Sequence, residues 1–411
     1  MKKFKLLLGI VFIGIIFFGY FNYPKLNLIS GYASKNMASN VFIAHRDPVD
    51  VTLNDHEMTL INLSECEVSE NDKSATATVY GPRKAVFKAG VGAVLTNKEF
   101  SHHSFNIVPN RQNLKDSLPF PYGNNGVIDT LLENVDYDIL EVAFSNAFKD
   151  SQQKTRSLLV VHKNQIIGER YIRGFTKDSP ILGWSMTKSI LATLYGILEY
   201  QGKLDMDYKP FSDEIQMKNL KSNITLNHLL RMQSGLSWDE NYFKISDVTQ
   251  MLFLASDMTI AQRNTKVIAP PTEIWNYSSG TTNLLSGILR KQFKTHQEYL
   301  DFPYQSLFDK IGMNSALLET DLVGNYVLSS YGWATTRDWA KFGLLYLNKG
   351  EWNGERIFSE SWVDYVSKPT QNSDGTYGAH FWLNAEGKYP NISRELYSAN
   401  GFQGQRVFII P

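Results

Sequence analysis

The stretch Gly183-Trp184-Ser185-Met186-Thr187-Lys188-Ser189-Ile190 runs into Leu191, Leu194, Ile197 and Leu198. That apolar spacing predicts a buried helix over Thr187 to Tyr200, with Ser185 at its first turn. Ser185 and Lys188 stand three apart, so on a helix they share one side. A serine hydroxyl is a weak nucleophile until a neighbour takes its proton, and a lysine neutralised by burial can do so. The helix start also favours negative charge developing at Ser185. Spacing alone does not carry this reading. Ser151-Gln-Gln-Lys154 has the same spacing in polar surroundings, where solvated side chains are the better account.

Two further stretches offer partners. Asn276-Tyr277-Ser278-Ser279-Gly280 precedes a helical pattern over Thr281 to Lys291. A lysine nearby would lower the Tyr277 pKa and let the phenol shuttle a proton between Ser185 and a leaving group. By itself Tyr-x-Ser is a common turn, as Tyr365-Val-Ser367 illustrates. Asn400-Gly401-Phe-Gln-Gly404-Gln405 opens a strand over Arg406 to Ile410. Its glycines permit close backbone approach, and the N–H of Gln405 could join that of Ser185 in an oxyanion hole. Alone, this stretch reads as a plain β-turn.

Taken in order, Ser-x-x-Lys, Tyr-x-Ser and Gly-x-x-Gly-Gln resemble the serine β-lactamase and penicillin-binding-protein superfamily. The class C β-lactamase-related branch, with its esterases, D-amino-acid peptidases and 6-aminohexanoate-dimer hydrolases, is the most similar. Ile224 to Leu236, Ala334 to Gly343 and Trp352 to Ile357 support the resemblance, which runs from about Ile166 to the end. It implies Ser185 as nucleophile, Lys188 as activating base and Tyr277 as proton shuttle, with Gln405, Gly404, Ser279 and Trp184 around the oxyanion and substrate. The substrate implied is a small-molecule or short-peptide ester or amide, and no cofactor is called for. Two departures stand out. Ser279 occupies the place of an Asn in class C β-lactamases, and Phe402-Gln403-Gly404 replaces their Lys-Thr-Gly, removing a cation for a substrate carboxylate. The pattern is closer to esterases and amide hydrolases than to β-lactamases or peptidoglycan peptidases. A non-catalytic binding or sensor protein is the rival from another class.

The surrounding sequence reads as α+β. Ser157 to Val161 and Ile166-Ile167 flank His162-Lys-Asn-Gln165 as a β-hairpin, helices dominate from Ser185 to about Leu347, and strands return at His380 to Leu383 and Arg406 to Ile410. The expected plan is an antiparallel sheet flanked by helices with an inserted helical region, over 155–411. Upstream, 26–110 reads as a β-rich extension, extended from about Ser39 to Glu99, and 111–154 as a linker (Asn110 to Asn125) and a helix (Ile128 to Lys149). A strand ending at Pro411 would leave a bare edge, so a further strand and helix are expected and the domain reads as truncated.

At the other end, Lys2, Lys3 and Lys5 precede Leu6 to Tyr23, which holds no charge. Such a segment can cross a bilayer as one helix, and its basic start keeps the N-terminus cytoplasmic. Residues 1–25 are therefore read as an uncleaved single-pass anchor with the catalytic domain outside the cytoplasm. A cleaved signal peptide is the alternative. The full 411 residues balance 41 Lys+Arg against 41 Asp+Glu, which removes a global reason to bind nucleic acid. One cysteine, Cys66, excludes an intrachain disulfide and multi-cysteine zinc sites. The eight histidines include no His-Glu-x-x-His, and neither the His102-His103 pair nor His228 is assigned to a metal. Trp238, Asp239, Glu240 and Tyr242 follow a Ser-Gly break and read equally as a cleft-lining or a surface loop.

Overall fold

The computed structural model describes residues 2–79, 81–97, 107–112, 118–123, 126–127, 131–212 and 221–411. Before residue 27 the described side chains are Val11, Phe12, Ile13 and Phe17, all exposed. Tyr80, Glu99, His102, His103 and Ile128 lie outside the described residues.

The chain opens with α1 (Lys2–Phe42) and α2 (Pro48–Asp55). The sequence reading took this region as extended from Ser39; the structure keeps it helical. Residues 28–42 are buried on nearly every side, with Ala33, Ser34 and Ala38 at no measurable exposure, so no one-sided apolar stripe marks the helix. The start signal of α2 is local: the Asp47 carboxylate accepts from Val49 N at 2.7 Å, ahead of Pro48 at the first helical position. Among the described residues no helix is long and apolar enough to cross a membrane, and most side chains of Leu6 to Tyr23 are not among them.

β1 (Glu65–Ser69), β2 (Ser74–Thr78), β3 (Pro82–Lys88) and β4 (Gly92–Leu95) form an antiparallel meander. Its inner face carries Ala75, Ala77, Ala85 and Ala93, small enough for α1 to lie close through Met37, Ala38, Val41 and Phe42. On its other side α1 meets a later helix so closely that a Cβ on Gly31 would stand 2.9 Å from Phe253 O. One buried ion pair ties α1 to the C-terminal half. Lys35 Nζ is 2.7 Å from Glu319 Oε2 and 4.2 Å from the centre of the Tyr331 ring. The Glu319 carboxylate also accepts from Ala93 N at 2.7 Å and from Trp333 Nε1 at 2.8 Å. The segment read as a linker is docked where it is described: Arg111 pairs with Asp309 at 2.8 Å and donates to the carbonyls of Met313, Asn314 and Ala316.

α3 (Tyr137–Lys149) starts later than its apolar spacing suggested, because Asp136 caps it and Glu133-Asn134 form a turn. β5 (Ser157–His162) and β6 (Gln165–Tyr171) form the expected hairpin. Lys163 and Asn164, at φ 48° and 61°, make the left-handed two-residue turn that matches strand twist. Then follow β7 (Pro180–Leu182), α4 (Thr187–Tyr200), α5 (Leu226–Leu230), α6 (Asp247–Leu254), α7 (Ser279–Arg290) and α8 (His296–Pro303). The last elements are β8 (Leu317–Leu318), β9 (Gly332–Thr335), α9 (Thr336–Leu347), β10 (Glu351–Trp352), β11 (Glu355–Arg356), α10 (Glu360–Ser367), β12 (Trp382–Leu383), β13 (Tyr397–Asn400) and β14 (Arg406–Ile409). The plan is α+β. In place of one sheet, the described strands form separate antiparallel ladders: β5-β6, β7-β9-β8, β10-β11 and β12-β13-β14. α9 packs against both β5 and β14 and so holds two of the ladders on one support.

α4 lies at the centre of the largest apolar cluster, and every residue from Thr187 to Leu198 is buried. Removing one partner of the Lys35–Glu319 pair leaves an uncompensated charge. Lys35→Met should destabilise the folded chain by about 3–5 kcal/mol, and Lys35→Met/Glu319→Gln by clearly less. Denaturant unfolding of both variants checks this; equal losses would contradict it.

Candidate active site

The site is built where β7 passes into α4. Gly183 N donates to Gly332 O at 2.8 Å, which carries the β7–β9 ladder up to the turn. A Cβ on Gly183 would stand 2.4 Å from the Trp339 ring, so the strand can approach α9 only without a side chain. Trp184 follows at φ 47°, a left-handed conformation unusual for a bulky residue. Neighbours hold it there: its indole donates to Gln403 Oε1 at 3.2 Å, its ring meets Phe402 at 5.7 Å, and Thr187 Oγ1 donates to its carbonyl at 2.7 Å. The reversal leaves Ser185 half-buried at the head of α4, while Lys188, one turn on, is buried.

Lys188 Nζ donates to three oxygens: Ser185 Oγ at 3.0 Å, Ser279 Oγ at 2.9 Å and Ser329 O at 2.9 Å. Burial drives the Lys188 pKa down to about 8, against a smaller upward pull from the Glu240 carboxylate. The decoy behaves otherwise. Ser151 lies in an exposed turn and Lys154 turns to Glu57 and the carbonyl of Asn54.

Tyr277 stands just before α7, whose N-cap Ser278 accepts from Thr281 N. The Lys188 ammonium lies 5.0 Å from the centre of the Tyr277 ring. The lowered phenol pKa expected from Lys188 is not found. Burial, followed by the Glu240 charge, raises it, and these outweigh the lowering pull of Ser185 and Arg406. Tyr277 is therefore a neutral phenol at ordinary pH, able to relay a proton but not resident as phenolate.

Ser279 replaces an amide side chain with a hydroxyl, and the structure shows what completes it. Ser279 Oγ donates to Glu240 Oε1 at 2.5 Å and Ser279 N donates to Glu240 Oε2 at 2.9 Å. Trp238 Nε1 adds a third bond to Oε2 at 2.5 Å. Of the two readings of the 238–242 loop, the cleft-lining one holds. Glu240 itself carried no signal beyond its place after the Ser-Gly break. Tyr242 stacks on Phe402 at 5.2 Å, and exposed Phe243 touches the same ring at 6.3 Å. With Trp184 these form one aromatic wall. Tyr277, Tyr377, Trp275 and Trp382 form another, with ring spacings of 5.1–6.3 Å among the contacting pairs.

The turn Phe402–Gly404 lies against the Gly183 backbone: a Cβ on Gly401 would be 2.1 Å from Gly183 O. Gln405 and Gly404 (φ 81°) are thus carried beside the Ser185 turn. Phe402-Gln403-Gly404 supplies no cation, but exposed Arg406, two residues on, acts electrostatically on Tyr277. Sequence reasoning missed that charge because it was sought inside the three-residue box. Behind the lysine, His380 Nδ1 donates to Leu230 O and Nε2 accepts from Thr282 Oγ1, and burial holds its pKa down at about 3, so it remains neutral. His228 closes the capping box of α5 with Thr225. Among the described residues no group of three His, Cys, Asp or Glu side chains could hold a metal ion.

An antiparallel α+β domain with a buried lysine on a helix-start serine defines the class of protein: a serine hydrolase fold. Comparison places it more closely. The Beta-lactamase family profile matches residues 144–411, more than half of the chain, and the protein belongs to that family. It is 22% identical over 286 residues to the 6-aminohexanoate-dimer hydrolase of Paenarthrobacter ureafaciens, covering 62% of this chain and 70% of that one. Among solved structures it is similar to a Bacillus anthracis protein provisionally assigned as a 6-aminohexanoate-dimer hydrolase. That match has a TM-score of 0.57 and 22% identity, and covers 76% of this chain and 84% of that one. A penicillin-binding protein homologue of Caulobacter crescentus matches with a TM-score of 0.53 and 14% identity, over 67% of this chain and 88% of that one.

The depressed lysine has a thermodynamic consequence. Between pH of about 8 and the ordinary lysine value of 10.5, the unfolded chain holds a proton on Lys188 that the folded chain has lost. The Lys188 contribution to stability therefore rises with pH across that window. Denaturant unfolding at pH 7, 9 and 10 should show wild type gaining on Lys188→Met; parallel profiles for the two proteins would contradict it.

Proposed function

We propose that the chain is a membrane-anchored serine hydrolase that cleaves an ester or amide through an acyl-enzyme on Ser185. The observation that carries this reading is the 3.0 Å hydrogen bond between Ser185 Oγ and a buried Lys188 whose pKa burial lowers to about 8. A base in that range is both available and strong enough to take a hydroxyl proton. In the reaction, neutral Lys188 accepts the Ser185 proton as Oγ forms its bond to the substrate carbonyl carbon. The backbone N–H groups of Ser185 and Gln405 hold the oxyanion. Tyr277 gives its proton to the leaving oxygen or nitrogen and is refilled from the Lys188 ammonium, so the charge returns to its starting state. Water then attacks the acyl carbonyl by the same proton path, releasing the acid and Ser185.

The aromatic walls of Trp184, Tyr242 and Phe402 on one side and Tyr277 and Trp382 on the other favour an apolar acyl or leaving group. The matched relative is named a 6-aminohexanoate-dimer hydrolase, and cleavage of an amide bond at this site is in keeping with that name. Anchoring rests on uncharged Leu6 to Tyr23 behind Lys2, Lys3 and Lys5, with the hydrolase outside the cytoplasm. The exposed apolar Val11, Phe12, Ile13 and Phe17 of α1 support it.

A panel of short acyl esters, linear amides, D-Ala-D-Ala peptides and a chromogenic β-lactam tests the chemistry. Ester or amide turnover is expected, falling at least about a thousandfold in Ser185→Ala and about a hundredfold or more in Lys188→Met. Turnover unchanged in Ser185→Ala would refute the mechanism, and preferential β-lactam turnover would refute the substrate reading. For the anchor, deletion of residues 2–23 should move the protein from the membrane to the soluble fraction. A mature protein already lacking those residues would show a cleaved signal instead.

A further inference from the structure

The carboxylate of Glu240 is held more tightly than a loop residue requires. It accepts from Ser279 N at 2.9 Å, from Ser279 Oγ at 2.5 Å and from Trp238 Nε1 at 2.5 Å, with Tyr242 OH 3.4 Å away. A serine hydroxyl has one hydrogen. Because Ser279 spends it on Glu240, its lone pairs are left facing Lys188 Nζ at 2.9 Å. The chain of contacts is therefore directional, running from Lys188 through Ser279 to Glu240.

We propose that Glu240 is a positioning residue for the Ser185 reaction: it fixes Ser279 Oγ as an acceptor for Lys188 and supplies the counter-charge for the ammonium formed when Ser185 loses its proton. The inference rests on the Ser185–Lys188 reading above. In the resting site Lys188 is a neutral amine or an ammonium according to pH; on attack it gains the Ser185 proton and one positive charge. No covalent bond to Glu240 or Ser279 forms, and the one proton of that pair, on Ser279 Oγ, does not need to move. A carboxylate two hydrogen bonds away from the buried Lys188 stabilises that developing charge more than it stabilises the neutral amine. The placement also explains how Ser279 can stand where related enzymes carry an amide: the hydroxyl needs a partner to fix its direction, and Glu240 is that partner.

The other groups facing this pair do not duplicate the charge. Lys188 also meets the Tyr277 ring, the neutral His380 behind it and the Ser329 carbonyl. Glu240 acts on the phenols of Tyr242, Tyr277 and Tyr377, all raised chiefly by burial and hence neutral, and Arg406 reaches Tyr277 from the exposed turn. Glu240 is the anion whose charge reaches Lys188 and pulls its pKa upward.

The test is the pH dependence of Ser185 acylation by a fluorophosphonate, measured on the full chain as wild type, Glu240→Gln and Ser279→Ala. Glutamine keeps the shape and most hydrogen bonds but removes the charge. Glu240→Gln should lower the plateau rate about ten- to a hundredfold and move the acid limb to lower pH, since Lys188 loses the charge that held its pKa up. Ser279→Ala should lower the plateau while moving the limb less, because the Glu240 charge stays. A Glu240→Gln profile with its limb unmoved, or moved to higher pH, overturns the inference while leaving the hydrolase reading intact. If Glu240→Gln does not fold, a Ser279→Ala plateau equal to wild type overturns it, and a reduced one with unchanged melting temperature supports it. Wild type that never labels overturns both readings together.

Discussion

The architecture turns on keeping one lysine dry. Lys188 has almost no exposure, so its ammonium form must be held by oxygens already in place: Ser185 Oγ, Ser279 Oγ and the Ser329 carbonyl. Burial and a nearby charge pull in opposite directions. Burial penalises the charge, while the Glu240 carboxylate favours it, and the balance falls at a pKa of about 8. Each supporting feature serves that balance. α4 is buried on all sides over Thr187 to Leu198, α7 delivers Tyr277 and Ser279 from its start, and the 238–242 loop closes over Ser279.

The approach to Ser185 depends on backbone that only glycine, or a strained residue, can supply. Gly183 touches Trp339, Gly401 touches Gly183 O, and Trp184 sits at φ 47° between them. Strain of this kind costs on the order of 1–3 kcal/mol and persists where neighbours over-determine it. Here the neighbours are the Gln403 amide, the Phe402 ring and Thr187 Oγ1. The same apolar cluster that holds Trp184 reaches Leu28 and Tyr32 of α1. The N-terminal helix is thereby part of the wall behind the site, and the Lys35–Glu319 pair pins it there.

Much of this was legible in the sequence, and what was not has physical reasons. The helix at Thr187–Tyr200, the hairpin at His162 to Gln165 and the strand at Arg406–Ile409 show through because their periodicity and turn residues are local. Ser185 and Lys188 are readable for the same reason: three residues on one helix fix their distance. The end of α1 from Ser39 was misread as extended, because a helix buried on both faces by alanines and serines shows no stripe. Glu240 was only half seen, because its meaning comes from Ser279, far along the chain. The Tyr277 pKa was anticipated in the wrong direction: the sequence could place a lysine beside a phenol but could not weigh burial and Glu240 against it. A long-range sum of opposing terms cannot be read from spacing.

The state of the lysine itself is the most direct check. Lys188 carrying a carbon-13 label at Cε, assigned by its loss in Lys188→Met, can be followed by NMR as pH is raised. The account predicts a titration midpoint near the value of about 8 set by burial against Glu240. A midpoint at the ordinary lysine value of 10.5 would mean that Lys188 is a solvated ammonium and no base for Ser185, and would contradict the account at its centre.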